Sequence, residues 1–183
     1  HPDMTVTPGI DMSSGSLGLG FAAALGIALG ARADGRDFMT YVMVGDGECN
    51  EGIVWEGAHV AARYQLDNVI AVIDHNKLQQ TGWTGDSYEH RISPYLGDQL
   101  ADRWRAFDWH VIEVDGHDIP AFLEAVGAAR AVEGKPVAIV AHTIKGKGVS
   151  FMEGDFMWHS RVPNDEEFAQ AMRELGETEG GSA

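Results

Sequence analysis

A chain of 183 residues, 44% of them apolar and with a net charge of −15, is long enough for one α/β domain with its own core. That acidic balance excludes the phosphate-neutralising surface of a nucleic-acid binder, so an anionic ligand would need a local device such as a metal or backbone N–H groups. The most apolar stretch, 17–31, is too short and too rich in glycine for a membrane span. No secretory signal is visible, and the single cysteine, Cys49, forbids an intrachain disulfide, which points to a soluble cytoplasmic protein.

The opening "HPDMTVTPGIDMSSG" is rich in Pro, Gly, Ser and Thr and predicts irregular structure over 1–14. Its first residue, His1, is not methionine, which points to processing or to a piece of a longer chain. An α/β core is expected over 15–149. It starts with a helix of small and apolar residues, with Ser14 or Ser16 as N-cap and Gly35 as its stop. "FMTYVMV" predicts a strand. "NEGIVWEGAHVAARYQL" follows as an amphipathic helix with Ile53, Val54, Ala58, Ala61 and Ala62 on one face. The β-branched run "NVIAVID" predicts a strand covered on both faces.

A long loop, "HNKLQQTGWTGDSYEHRIS", comes next, then a helix over 95–107 and the strand "WHVIEV". A helix with Pro120 in its first turn follows Asp118, and "PVAIVAHT" is the last strand. Over 150–175 a loop leads to a short acidic helix from about Asn164, and 176–183 reads as a disordered tail. The alternation implies one α/β domain: a parallel sheet with right-handed crossovers and helices on both faces.

In such sheets ligands lie beyond the carboxyl ends of the strands. "GDG" ends one strand and "DHN" the next, so both face one rim. Asp46 offers a carboxylate and Asn76 an amide oxygen, hard ligands suited to a divalent cation whose shell phosphates complete. Gly45 and Gly47 would let a phosphate approach the backbone. Either tripeptide alone is ordinary turn chemistry; the pair at neighbouring strand ends is the signal.

These residues resemble a known family. "GDGECNEG…WE" followed by "DHNKLQQTG" looks like the thiamine-diphosphate motif of transketolases. "HPD…TPGIDMSSGSLGLG" and "KGKGVSFMEGDFMWHS" are similar to two further transketolase segments, so the likeness covers most of the chain. It is greatest to the amino-terminal, diphosphate-binding subunit of split transketolases. The resemblance implies the thiamine-diphosphate-binding fold, the cofactor thiamine diphosphate and Mg²⁺ (or Ca²⁺), with Asp46, Asn76 and the Leu78 carbonyl on the metal. Gly45, Gly47 and Asn76 match the diphosphate site, and Gly15, Ser16 and Leu17 the loop that touches the thiamine rings. His1 and His159 match histidines of the substrate channel, His159 also reaching the cofactor.

Glu51 and Glu56 match carboxylates at the interface between subunits that share protons between paired cofactor sites, Glu51 counted among the catalytic residues; by position alone both read as first-turn helix acids. Lys145 and Lys147 either attract a sugar phosphate or lie on a solvated loop. The implied activity is transfer of a two-carbon ketol unit between sugar phosphates. The implied partner is a C-terminal transketolase subunit carrying the aminopyrimidine-binding domain, in a dimer of heterodimers, with neither nucleic acid nor membrane involved. Without that partner the chain is expected to bind cofactor weakly and catalyse nothing. The rival possibilities are a deoxyxylulose-phosphate synthase, the α chain of a 2-oxo-acid dehydrogenase, or a non-catalytic interaction subunit.

Overall fold

A computed structural model describes residues 1–79 and 99–176. Most of the long loop, the expected start of the third helix at 95–98 and the tail at 177–183 lie outside the described residues. Helix α1 (Leu19–Ala33) precedes strand β1 (Thr40–Gly45), and a 3₁₀ turn (Glu48–Asn50) leads into α2 (Gly52–Arg63). Then come β2 (Val69–His75), α3 (Leu100–Ala106), β3 (His110–Asp115), α4 (Ile119–Arg130) and β4 (Val137–His142). A second 3₁₀ turn (Phe156–His159) and α5 (Asp165–Glu174) complete the described chain.

The four strands form one parallel sheet in the order β1-β2-β4-β3. The order explains which face each helix takes. From β1 to β2 to β3 the chain moves one way across the sheet, and right-handed crossovers put α2 and α3 on one face. From β3 it steps back to β4, so the same handedness puts α4 on the other. Burial follows this division. Val69, Ala71 and Ile73 of β2 pack with α1, α2 and α3, whereas Ile70 packs with Ala125 and Ala129 of α4. On the α4 side of the edge strand β1, Tyr41 and Met43 are exposed.

Two glycines settle how α1 is placed. A Cβ on Gly57 of α2 would come within 2.9 Å of Leu25 and Phe21, so the bare backbone lets α1 and α2 approach closely. Gly18, not Ser14 or Ser16, is the N-cap of α1, in a left-handed conformation with φ of +80°. The sequence expectation fails here because a distant contact fixes the helix start: the Gly18 N–H donates to Glu48 Oε1 at 2.8 Å, and α1 has no side-chain cap. Gly35 does end the helix, with φ of +64° and the following Arg36 N–H returning to the Ala31 carbonyl at 2.8 Å. The Asp118 cap of α4, with Pro120 in the first turn, and the Asn164 capping box of α5 match the sequence pattern.

Candidate functional site

The carboxyl ends of β1 and β2 are neighbours in register, Gly45 opposite Asp74, which brings "GDG" and "DHN" together. Asp46 is buried, at 2% exposure, directly after β1. Its Oδ2 accepts the Lys77 N–H at 2.6 Å, and its own N–H donates to the Asp74 carbonyl at 3.1 Å. Lys77 adopts φ of +63°, an uncommon conformation for a side-chain-bearing residue, and that turn aims its N–H at Asp46. Asn76 Oδ1 accepts the Leu78 N–H at 2.9 Å, and Asn76 Nδ2 donates to Asp74 Oδ2 at 2.9 Å. Asp46 and the Asn76–Leu78 turn are therefore one hydrogen-bonded unit.

Burial pushes the Asp46 carboxyl up to about 6 from its ordinary 3.8, against the Lys77 and Gly47 N–H bonds that pull it down. The Asp74 charge pushes it further up and Lys145 pulls it down. Among the described residues no cationic side chain forms an ion pair with Asp46. A buried carboxylate with only neutral donors on it is an unmatched negative charge, and a divalent cation is the group that would match it.

Room for such a group is also present. Gly47 has φ of −65°, open to any residue, and Gly45 has no positive φ. A Cβ added to Gly45 would meet nothing closer than 4.0 Å, and one on Gly47 nothing closer than 3.6 Å. Neither glycine is demanded by the chain's own backbone or packing, which fits space kept for another molecule. No cluster of three His, Cys, Asp or Glu occurs among the described residues. A set of one carboxylate, one amide and one carbonyl is not a protein-only cage. It suits an ion that takes its remaining oxygens from phosphate and water.

The glycine loop at 15–18 is tied to the same turn. Glu48 Oε1 accepts from Gly18 N–H and Glu48 Oε2 from Gly45 N–H at 3.2 Å, so one carboxylate joins the loop to the end of β1. A Cβ on Gly18 would also strike Ile53 Cγ2 at 2.4 Å. Gly15, Ser16 and Leu17 remain exposed. Glu48→Ala would leave two part-buried N–H groups without an acceptor; the expected cost is about 1–3 kcal/mol. Thermal unfolding together with faster hydrogen exchange at the Gly18 and Gly45 amides is the check.

His1 lies against this loop: a Cβ on Gly15 would come 1.8 Å from His1 Nδ1. His159 ends the second 3₁₀ turn and is exposed, with no hydrogen bond to Asp46 or Asn76 among the described residues. Glu51 is the N-cap of α2 without a side-chain cap bond, and Glu56 lies a turn later; both are exposed. Neither is the first-turn acid that position alone suggested, because α2 starts at Gly52. The two lysines separate: Lys147 pairs with Glu153 at 3.5 Å, while the Lys145 charge is felt at Asp46. Sequence reasoning missed Glu48 and Asp74, whose partners are set by the fold; for Glu48 the adjacent "GDGE" is a signal, and for Asp74 its place two residues before Asn76.

Residues 1–180 match the family described as transketolase, thiamine diphosphate binding domain. The chain is 44% identical to the 6-deoxy-6-sulfo-D-fructose transketolase subunit SqwG of Clostridium sp. (strain MSTE9), over 96% of this chain and 61% of that protein. It is 40% identical to an apulose-4-phosphate transketolase subunit of Phocaeicola vulgatus, over 97% of this chain and 60% of that one. The chain thus spans about three fifths of these curated relatives. Among solved structures it is similar to the transketolase of Campylobacter jejuni, with a TM-score of 0.81 and 29% identity over 96% of this chain and 27% of that one. The transketolase of Leishmania mexicana gives 0.80 and 31%, over 96% of this chain and 27% of that one.

Proposed function

Since the chain belongs to the thiamine-diphosphate-binding-domain family of transketolases, we propose that it is the diphosphate-holding part of a two-subunit transketolase. The reaction is transfer of a two-carbon ketol unit from a ketose to an aldose, both carrying phosphate. The observation that carries this is the buried, unpaired Asp46 carboxylate locked to the Asn76–Leu78 turn at neighbouring strand ends. Asp46, Asn76 Oδ1 and the Leu78 carbonyl hold Mg²⁺ (or Ca²⁺). The space above Gly45 and Gly47 takes the diphosphate, and Lys145 adds positive charge beside it.

Bound thiamine diphosphate supplies the nucleophilic carbon and the electron sink, and this chain binds and orients it. The Gly15–Ser16–Leu17 loop, fixed through Gly18 and Glu48, lies along the thiamine rings. His1 and His159 stand on the substrate side, where imidazole exchanges protons with sugar hydroxyls near neutral pH. Glu51 and Glu56 face a neighbouring subunit, in a dimer of heterodimers whose second chain carries the aminopyrimidine-binding domain. Both of these curated relatives are subunits of a transketolase, which supports a partner chain for this one.

The test is calorimetric titration of thiamine diphosphate into this chain in complex with its partner, with Mg²⁺ and then with excess chelator. Binding is expected only with metal, and ketol transfer only by the complex. Metal-independent binding, or turnover by this chain alone, would overturn the proposal.

A further inference from the structure

We infer that Asp74 is a positioning residue: it fixes which end of the Asn76 amide is presented to the metal–diphosphate site. This rests on the function proposed above. An asparagine amide has a donor end and an acceptor end, and only the oxygen can ligate a hard cation. Its two ends are nearly equal in shape, so packing alone does not choose between them. Here the chemistry of the neighbours chooses.

Asp74 Oδ2 sits 2.9 Å from Asn76 Nδ2. A carboxylate has only acceptors to offer, so the NH₂ end must face it; the flipped amide would set two oxygens against each other at that distance. On the far side, the Leu78 N–H donates to Asn76 Oδ1 at 2.9 Å, which demands the same orientation. One lone pair of Oδ1 is left for an ion.

Asp74 is itself held from three directions. Its Oδ1 accepts the Thr143 hydroxyl, just beyond β4. Its carbonyl accepts the Asp46 N–H, and its backbone is paired on either side with β1 at Gly45 and β4 at Ala141. The orienting carboxylate is thus anchored on the central part of the sheet rather than on the loop it serves. Partners that orient metal ligands in this way commonly change metal affinity when removed. The Asp74 charge, felt at Asp46, adds to the attraction for a cation.

The experiment measures the dissociation constant of Mn²⁺ by electron paramagnetic resonance, in the assembled protein with thiamine diphosphate at one fixed concentration and its own binding of Mn²⁺ subtracted. Asp74→Leu keeps the shape and removes the acceptor; Mn²⁺ affinity is expected to fall about 10–100-fold. Asp74→Asn, which can satisfy Asn76 in only one of its own two orientations, is expected to fall between wild type and Asp74→Leu. Thr143→Val, which leaves the Asp74–Asn76 bond intact, should change affinity by less than about 3-fold on the same scale.

The decisive arm repeats Asp74→Leu in an Asn76→Ala background, where no amide remains to be oriented. The expected further loss is small, because the two effects are coupled. If Asp74→Leu and Asp74→Asn both bind Mn²⁺ as wild type does, the inference is wrong. It is equally wrong if Asp74→Leu costs as much without Asn76 as with it. Should Asn76→Ala alone leave Mn²⁺ affinity intact, the metal assignment itself fails and takes this inference with it.

Discussion

Replacing Asp46 by asparagine is expected to abolish metal-dependent binding of thiamine diphosphate and, at the same time, to stabilise the metal-free chain at pH 7. The first effect follows from removing the one carboxylate of the proposed ligand set, with a loss of at least about 100-fold in cofactor affinity, since its charge is what draws the ion. The second follows from burial. With the carboxyl raised from 3.8 to about 6, the folded chain holds its proton more tightly than the unfolded chain does. Stability linked to Asp46 is full below 3.8, falls as pH rises towards 6, and above that the buried charge is a standing cost.

Two pKa units correspond to about 3 kcal/mol. Asparagine would recover only part, because its NH₂ end must face one of the N–H donors now bound to the carboxylate, so a net gain of about 1–2 kcal/mol is expected. Urea unfolding of both chains without metal, at pH 4.5 and pH 7.5, is the check: the advantage of the variant should be present at pH 7.5 and much smaller at pH 4.5. An Asp46→Asn chain less stable than wild type at pH 7.5 would mean that the carboxylate is already well matched within the protein. The site would then be a stability–function compromise in name only.

The second large effect is expected in the core. Trp104 lies on the short helix α3 and is fully buried against Trp109 at 4.8 Å, Trp55 at 5.1 Å and Phe21 at 5.9 Å between ring centroids. These rings come from α1, α2 and the residue just before β3, so one side chain joins α3 to the rest of that face. Trp104→Ala should cost about 3–5 kcal/mol. Trp104→Phe should cost far less than the lost volume suggests. The Trp104 indole N–H has only the Cys49 sulfur, a weak acceptor, beside it, whereas the Trp109 N–H bonds the Ala58 carbonyl at 2.9 Å. Removing a weakly bonded donor offsets part of the lost contact, and Trp109→Phe leaves a carbonyl short instead. Chemical denaturation of the three variants would rank them Trp104→Phe, Trp109→Phe, Trp104→Ala in order of increasing loss.

Much of the sheet was legible in the sequence because apolar runs such as "NVIAVID" are short, rich in β-branched residues and end on turn residues. The meeting of Asp46 with the Asn76 turn was legible in part: strands joined by one crossover are usually neighbours, as β1 and β2 are here, although β2 and β3 are not. What the sequence hid were bonds between distant segments. Ser14 or Ser16 looked like the cap of α1, but Gly18 takes that place, and its N–H is held by Glu48, beyond β1. Asp74 looked like the last residue of an apolar strand. Its second partner is Thr143, far along the chain, whose place beside β2 is visible only once β4 is seen to pair there. Local pattern predicts elements; which side chains meet across them is a property of strand order.

That strand order also bears on how the chain is made. Among the described strands β4 is the last to be synthesised, yet it lies between β2 and β3, and β3 pairs with nothing else among the described residues. A growing chain can close β1 onto β2 and bring the Lys77 N–H to Asp46 while β3 waits without a strand beside it. Closing the sheet means inserting a strand between two waiting edges, a non-local step of the kind that is slow and open to mispairing. A chain cut before residue 137 would therefore lose β4 and leave β3 detached as well, and the far side of Asp74 would have no hydroxyl to meet.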